Sequence, residues 1–261
     1  EAARAPMGEA IVADPRLALE ALLARVGEAQ RDSGEQKPAP EAGEEQDPIT
    51  GTAAMHALAQ AFPEDGIVVM EAPSSTLALR NQLRLSRPGS YYFGAGGGLG
   101  FGLAAAVGVQ LAQPDRPVVC VVGEGSAQYA ITALWSAVAY EVPLTILVLR
   151  NSEYAILKWF AMVEQVEAAP GLDLPALDTA AIASGYGVST TKVEDADALG
   201  NVDAGGKAHT SEHEDHPAGH VRQVHGLPFA LVEERPELLL AEHARELVVG
   251  GEIGGGERGE G

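Results

Sequence analysis

Glu124 and Asn151 stand 27 positions apart, each at the end of a short apolar run. A carboxylate and a side-chain amide oxygen are both hard donors, suited to Mg2+ or Ca2+. Beside the acid, Gly123 and Gly125 leave room for the backbone to approach a bulky anion. Ser126, with the helix N-terminus expected after it, offers donors to a phosphate. These residue types in this order point to a metal-diphosphate clamp.

Such a clamp needs a scaffold that brings its parts to one place. The runs from Pro117 to Val122 and from Pro143 to Leu149 are continuous, branched and bounded by turn residues. They suit strands buried on both faces of a parallel sheet. Tyr129 to Tyr140, between them, has helical length and spacing, so the unit is strand, helix, strand. A right-handed crossover puts both strand ends on one edge of the sheet, the edge where α/β sheets bind ligands. The expected fold class is α/β, a parallel sheet flanked by helices.

The stretch from Gly123 to Asn151 resembles the thiamin diphosphate signature: a strand-end Gly-Asp-Gly-Ser and, at the spacing seen here, Asn-Asn. The flanking text, PGSYYFGAGGGLGFGLAAAVGVQLA before and SEYAILKWFAMVE after, is similar to benzoylformate decarboxylase and its 2-oxo-acid decarboxylase relatives. The likeness runs from Glu1 to about Leu199 and returns near Pro228. It implies the diphosphate domain of the thiamin diphosphate-binding fold. It implies thiamin diphosphate and Mg2+ as cofactors, and a small 2-oxo acid as substrate, cleaved without oxidation to release carbon dioxide. By the same resemblance Ser74, Gly97, Gly123, Gly125, Ser126 and Tyr154 match cofactor-binding positions. Leu99 matches the bulky apolar residue that props the cofactor in its bent form. The side chains of Glu124 and Asn151 and the carbonyl of Glu153 match the metal ligands, while Ile156, Leu157 and Phe160 match positions that face the substrate.

Three positions depart from the pattern. Glu124 stands where aspartate is usual, Arg150 replaces the first asparagine of the pair, and Pro73 stands where relatives often carry a hydroxyl. The longer arm of glutamate matters because Mg2+ demands short bonds in near-ideal octahedral geometry. Branched Ile156 occupies a position that is small in aryl-selective relatives, which points to a short or aliphatic 2-oxo acid. The residues taken alone leave other readings open. Ser74 could belong to a cap of the next helix, and Leu99 could be an ordinary core leucine. The Gly94–Gly100 loop lacks the spacing of a dinucleotide fingerprint.

The rest of the chain divides by composition. Residues 1–32 read as a remnant of a middle domain. Asp14 caps a helix there, Pro15 opens it, and Leu19, Leu22, Leu23 and Val26 fall on one face. Residues 33–49 are acidic and proline-rich, a linker. Residues 50–199 form the diphosphate domain. It holds helices at 52–62, from the glycine-rich loop through Ala112, at 154–166 and at 177–184, and strands at 66–71 and 187–193. Residues 200–227 are a low-complexity insertion with His209, His213, His216, His220 and His225, whose imidazoles suit Zn2+ or Ni2+. Residues 228–240 hold the last strand, and 241–261 are a glycine-acid tail expected to be disordered.

The formal charge of −20 over 261 residues argues against nucleic acid and anionic membrane surfaces as partners. No apolar stretch is long enough to span a bilayer and no signal peptide is evident, so a cytoplasmic location is expected. The one cysteine, Cys120, lies inside an apolar run and reads as a small buried hydrophobe. The resemblance places no catalytic residue in this chain. The pyrimidine domain and its catalytic glutamate are expected from a missing N-terminal part or another subunit, and the complete protein is expected to be a homo-oligomer. The competing readings are a non-catalytic or truncated homologue of acetolactate synthase-type enzymes and an acidic, His-rich metal-binding protein.

Overall fold

The computed structural model describes residues 11–28, 49–166, 168–193, 199, 209–210 and 224–233, without the side chains of 209, 210, 224–230 and 233. The chain forms two compact units, Glu1–Pro38 and Ala39–Gly261. In the first, helix α1 spans Pro15–Leu23. The Asp14 carboxylate accepts the Leu17 N–H at 3.0 Å and Pro15 sits in the first turn, the pairing that favours a helix start. Leu19, Leu22, Leu23 and Val26 are exposed.

The second unit is built on one sheet. Its strands are β1 (Ile67–Glu71), β2 (Tyr91–Phe93), β3 (Val118–Gly123), β4 (Thr145–Arg150), β5 (Val188–Val193), β6 (His209–Thr210) and β7 (Val224–Glu233). The order is β2-β1-β3-β4-β7-β5, with every pair parallel; β6 alone runs antiparallel, against β7. Between and around the strands lie α2 (Gly51–Ala61), α3 (Thr76–Gln82), α4 (Gly102–Ala112), α5 (Glu124–Gln128), α6 (Ala133–Ala139), α7 (Ala155–Val163) and α8 (Thr179–Gly185).

Strand residues alternate between two apolar cores, as the period of two requires. Val118, Cys120 and Val122 join Leu103, Leu134 and Ala183 from α4, α6 and α8. Val119 and Val121 join Met55, Leu58 and Leu79 from α2 and α3. Both faces of β1, β3 and β4 are therefore covered, which is why these strands read as unbroken apolar runs. Each fully buried Val, Ile or Leu contributes about 1.5–3 kcal/mol, so the central strands fix the edge from which the loops emerge. Among the described residues no helix is long and apolar enough to cross a membrane.

Some elements differ from the sequence expectation. Of the helix expected over 129–140 only Ala133–Ala139, α6, is α-helical; α5 lies before that stretch, and tighter turns join the two. Tyr129, Ala130, Ala133 and Leu134 each donate to the carbonyl three residues back, and branched Ile131 and Thr132 resist a regular α-helix there. α5 starts directly off β3, so Ser126 sits inside the first turn instead of preceding it. The last strand begins at Val224, inside the stretch expected to be an insertion, and His209–Thr210 pair with it. The linker up to residue 48, most of the His-rich stretch and the tail lie outside the described residues, and Ile49, expected to close the linker, is buried in the core with α2.

Candidate functional site

β1, β3 and β4 run parallel, so their C-terminal ends meet at one edge of the sheet. β1 leads into a 3-10 turn, Pro73–Ser75, β3 into α5, and β4 into the loop before α7. A cavity of about 300 Å³ opens among these ends. Ser74 lines it from the turn, Gly97 and Leu99 from the glycine-rich loop, and Gly123 and Ser126 from the β3–α5 junction. Asn151, Glu153 and Tyr154 line it from the β4–α7 loop, and Ile156, Leu157 and Phe160 from α7. Leu99 belongs to neither apolar core, and Ile156 lines the cavity where it could have packed inward. α3 takes Ser75 as its N-cap with no side-chain capping bond from that residue.

Two expected site residues do not line the cavity. A Cβ on Gly125 would come 2.5 Å from the Tyr154 ring and 3.0 Å from Leu174. The missing side chain at Gly125 thus makes room for Tyr154 and not for an anion. Glu124 is buried, 2% exposed, and only one of its oxygens accepts a hydrogen bond among the described residues. Oε1 accepts the Ser152 N–H, and Oε2 lies 3.3 Å from the Arg150 Nε. Burial pushes the Glu124 carboxyl above its ordinary value, opposed by the Ser152 N–H and the Arg150 charge. Burial and a hydrogen bond with Tyr129 push the Tyr154 hydroxyl up as well.

The β4–α7 loop is held by bonds that the sequence does not announce. Asn151 Oδ1 accepts the Glu153 N–H at 3.2 Å, and Ser152 takes a left-handed φ of 62°. Segment 172–174 runs antiparallel to 152–154: Tyr154 N–H donates to Leu172 O at 2.7 Å and Leu174 N–H to Ser152 O at 2.8 Å. The Lys158 ammonium bonds the Glu153 carboxylate and reaches Asp173 at 2.6 Å. The loop that carries Asn151 is therefore clipped from both sides.

Sequence reasoning also missed Glu71, the last residue of β1, which is 8% exposed. Its carboxylate accepts the N–H groups of Gly100 at 2.5 Å, Phe101 at 3.1 Å and Gly102 at 2.7 Å. These are donors at the start of α4, where a carboxylate is favoured by the unpaired N–H groups and the helix dipole. A Cβ on Gly102 would meet the Glu71 side chain at 2.8 Å, so the acid and this glycine fit each other. The only local signal was an acid closing a strand, and its partners lie about thirty residues away.

A diphosphate fits this cleft. No neighbouring atom lies within 4 Å of a Cβ built on Gly97, and the nearest to one on Gly123 is 3.6 Å away. Both glycines line the cavity. The donor set for Mg2+ is partial. Among the described residues no three His, Cys, Asp or Glu side chains converge. Mg2+ commonly combines one or two protein oxygens with waters and ligand phosphates. Asn151 and Glu153 line the cavity, whereas Glu124 does not and is ion-paired with Arg150.

Known proteins carry the same pattern. The chain is 51% identical to benzoylformate decarboxylase of Pseudomonas aeruginosa over 189 residues, 72% of this chain and 36% of that protein. It is 44% identical over 68 residues to acetolactate synthase isozyme 3 large subunit of Escherichia coli, 26% of this chain and 12% of that one. The solved 4-hydroxybenzoylformate decarboxylase of Rhodococcus jostii RHA1, a thiamine diphosphate-dependent enzyme, superposes with a TM-score of 0.75 at 37% identity. That match covers 90% of this chain and 42% of that one. The chain thus spans well under half the length of these relatives. Residues 71–212 match the family described as thiamine pyrophosphate enzyme, C-terminal TPP binding domain. With the sheet edge, the glycine-rich loop and the cleft between them in that same span, the chain belongs to the thiamine pyrophosphate enzymes through their C-terminal TPP-binding domain.

Proposed function

We propose that this chain binds thiamin diphosphate with a divalent ion, Mg2+, in the cleft at the ends of β1, β3 and β4. The chain would form the diphosphate-binding part of a 2-oxo-acid decarboxylase of the benzoylformate decarboxylase type. The observation that carries this reading is the make-up of this cavity. Small and hydroxylic residues (Ser74, Gly97, Gly123, Ser126) share it with Asn151 and with the apolar Leu99, Ile156, Leu157 and Phe160. A ligand with a charged end and flat apolar rings matches such a lining.

When bound, the cofactor supplies an electron sink for loss of carbon dioxide from a 2-oxo acid. The chain's residues bind and orient. Ser74 and Ser126 would donate to the diphosphate, and Asn151 and the Glu153 carbonyl would hold the ion. Leu99 supports the cofactor's bend, and Tyr154 closes the cleft over Gly125. Ile156, Leu157 and Phe160 bound the space for the substrate chain. A pyrimidine-binding part, from further sequence of the same protein or from another subunit, completes the site, and a dimer or larger homo-oligomer follows from that division. The protein acts in the cytoplasm.

The test is calorimetric titration of the 261-residue chain with thiamin diphosphate and with thiamin, in excess Mg2+. Thiamin diphosphate is expected to bind, thiamin far more weakly, and Ser74→Ala together with Asn151→Ala to lower the affinity about tenfold or more, as for lost ligand and metal contacts. Equal affinity for thiamin and its diphosphate would refute the reading.

A further inference from the structure

Glu124 and Arg150 lie one position beyond the last paired residues of β3 and β4, Gly123 and Leu149. Parallel register therefore sets them side by side at the mouth of the cleft. The Arg150 Nε stands 3.3 Å from Glu124 Oε2, with the carboxylate side chain 2% exposed and the guanidinium 25% exposed. The other oxygen, Oε1, is taken by the Ser152 N–H. Arg150 is also in backbone register with Glu233 of β7. The guanidinium thus stands at ion-pair distance from the Glu124 oxygen that has no hydrogen-bond partner among the described residues.

We infer that Arg150 is a built-in competitor for the divalent ion: its guanidinium holds the Glu124 carboxylate away from the cleft and so sets how much metal the site requires. The inference rests on the cleft being a thiamin diphosphate site, and it concerns a residue that is itself outside the cavity lining. Two physical facts carry it. A hard divalent ion takes carboxylate oxygen at about 2.0–2.1 Å, so a guanidinium nitrogen 3.3 Å from Oε2 competes with it for the same negative charge. A fixed positive charge beside the ligand also repels the incoming cation in a poorly solvated place. Metal entry at Glu124 is therefore favoured when Arg150 swings out through its exposed side, while Asn151 and the Glu153 carbonyl stay available throughout.

The experiment is titration of the full chain with Mg2+ by calorimetry and with Mn2+ by electron paramagnetic resonance, each with and without thiamin diphosphate. Arg150→Gln is expected to tighten either ion about tenfold or more, the scale of changes next to metal ligands, and Arg150→Lys to stay near the parent. In a Glu124→Gln background the gain from Arg150→Gln is expected to vanish, the mark of direct coupling. In the unaltered chain, saturation with Mg2+ is expected to shift the Arg150 Nε–H resonance, a readout that does not depend on any variant folding. Metal affinity that is unchanged or weaker in Arg150→Gln, no metal binding by any chain, or an Arg150 resonance indifferent to Mg2+ would overturn the inference. Thiamin diphosphate binding that persists in those cases sinks this inference alone; its absence in every chain sinks the reading of the cleft.

Discussion

Replacing Glu71 tests whether the glycine-rich loop is held from the sheet. The carboxylate receives three backbone donors, from Gly100, Phe101 and Gly102. Gly102 is buried, and Gly100 and Phe101 are half-buried. Losing the acceptor of a buried donor costs about 1–3 kcal/mol. Water can reach the two half-buried groups, so Glu71→Ala is expected to cost about 3 kcal/mol in all, not the sum of three full penalties. Glu71→Gln keeps one acceptor oxygen and is expected to cost about 1 kcal/mol. Because 1.4 kcal/mol is a factor of ten, Glu71→Ala should speed amide exchange at Gly100, Phe101 and Gly102 about a hundredfold. The same residues border Gly97 and Leu99, so thiamin diphosphate should bind more weakly, in proportion to the smaller fraction of closed loop. Gly102→Ala should reproduce the effect, since its Cβ meets Glu71 at 2.8 Å. The assay is hydrogen exchange read residue by residue, beside thermal unfolding. Exchange at these amides within twofold of the parent, or Glu71→Ala as stable as Glu71→Gln, would refute the reasoning.

Other expectations follow from the same geometry. Cys120 is fully buried, and burial first, with the Glu71 charge adding, pushes its thiol well above the ordinary range; it should resist a disulfide reagent in alkaline buffer until the chain is denatured, and rapid native labelling would contradict its place in β3. The Lys158 ammonium gains Asp173 and then Glu153, which raise its pKa. Its contribution to stability should be whole below the unfolded lysine value, about 10.4, and fade as pH rises through the higher folded value. Lys158→Met should flatten that alkaline loss in melting curves, and identical curves for the two chains would count against the clip. Ile156→Ala, in the complete protein, should raise kcat/KM for benzoylformate relative to a short aliphatic 2-oxo acid by about ten- to a hundredfold, the scale of about 1–3 kcal/mol for relieved crowding in a pocket; an unchanged ratio would show that Ile156 does not limit the substrate space.

The sheet edge was legible because its strands carry the signal themselves. Val118–Val122 and Thr145–Leu149 are buried on both faces, and that burial is what writes an unbroken apolar run. Ser74, Gly123 and Ser126 at strand ends, which the sequence pointed to, line the cavity, since small residues outside an apolar period have little packing role. Glu71 was not legible, because its partners are set by how α4 lies against β1 and no local spacing encodes that. The 172–174 clip on 152–154 was hidden likewise, being a pairing of two loops. Gly125 was assigned to the wrong neighbour. A glycine marks a close approach, but the sequence does not say whether a ligand or, as here, the Tyr154 ring makes it. The bend at Tyr129–Thr132 was obscured by apolar residues that continue a helical period across it.

The two strand-end carboxylates divide their work by what lies next to them. Glu71 spends both oxygens on the start of α4, and Glu124 is shared by Ser152 and Arg150. Neither leaves a free negative charge facing the cavity, which suits a site for an anion. Yet none of the residues lining the cavity is Lys or Arg, and the chain as a whole carries −20. Neutral donors from Ser74, Ser126 and the backbone can orient a diphosphate, but they do not offset its charge in a partly dry cleft. The compensating charge must therefore come either from a cation that enters with the ligand or from Arg150 turning toward it. These two sources respond differently to salt. An entering divalent ion ties affinity to its own concentration, whereas a resident guanidinium ties it to ionic strength through screening. Thiamin diphosphate binding measured across Mg2+ concentration at fixed ionic strength, and across ionic strength at fixed Mg2+, separates them. Arg150 paired with Glu124 at the cleft mouth makes the first source dominant.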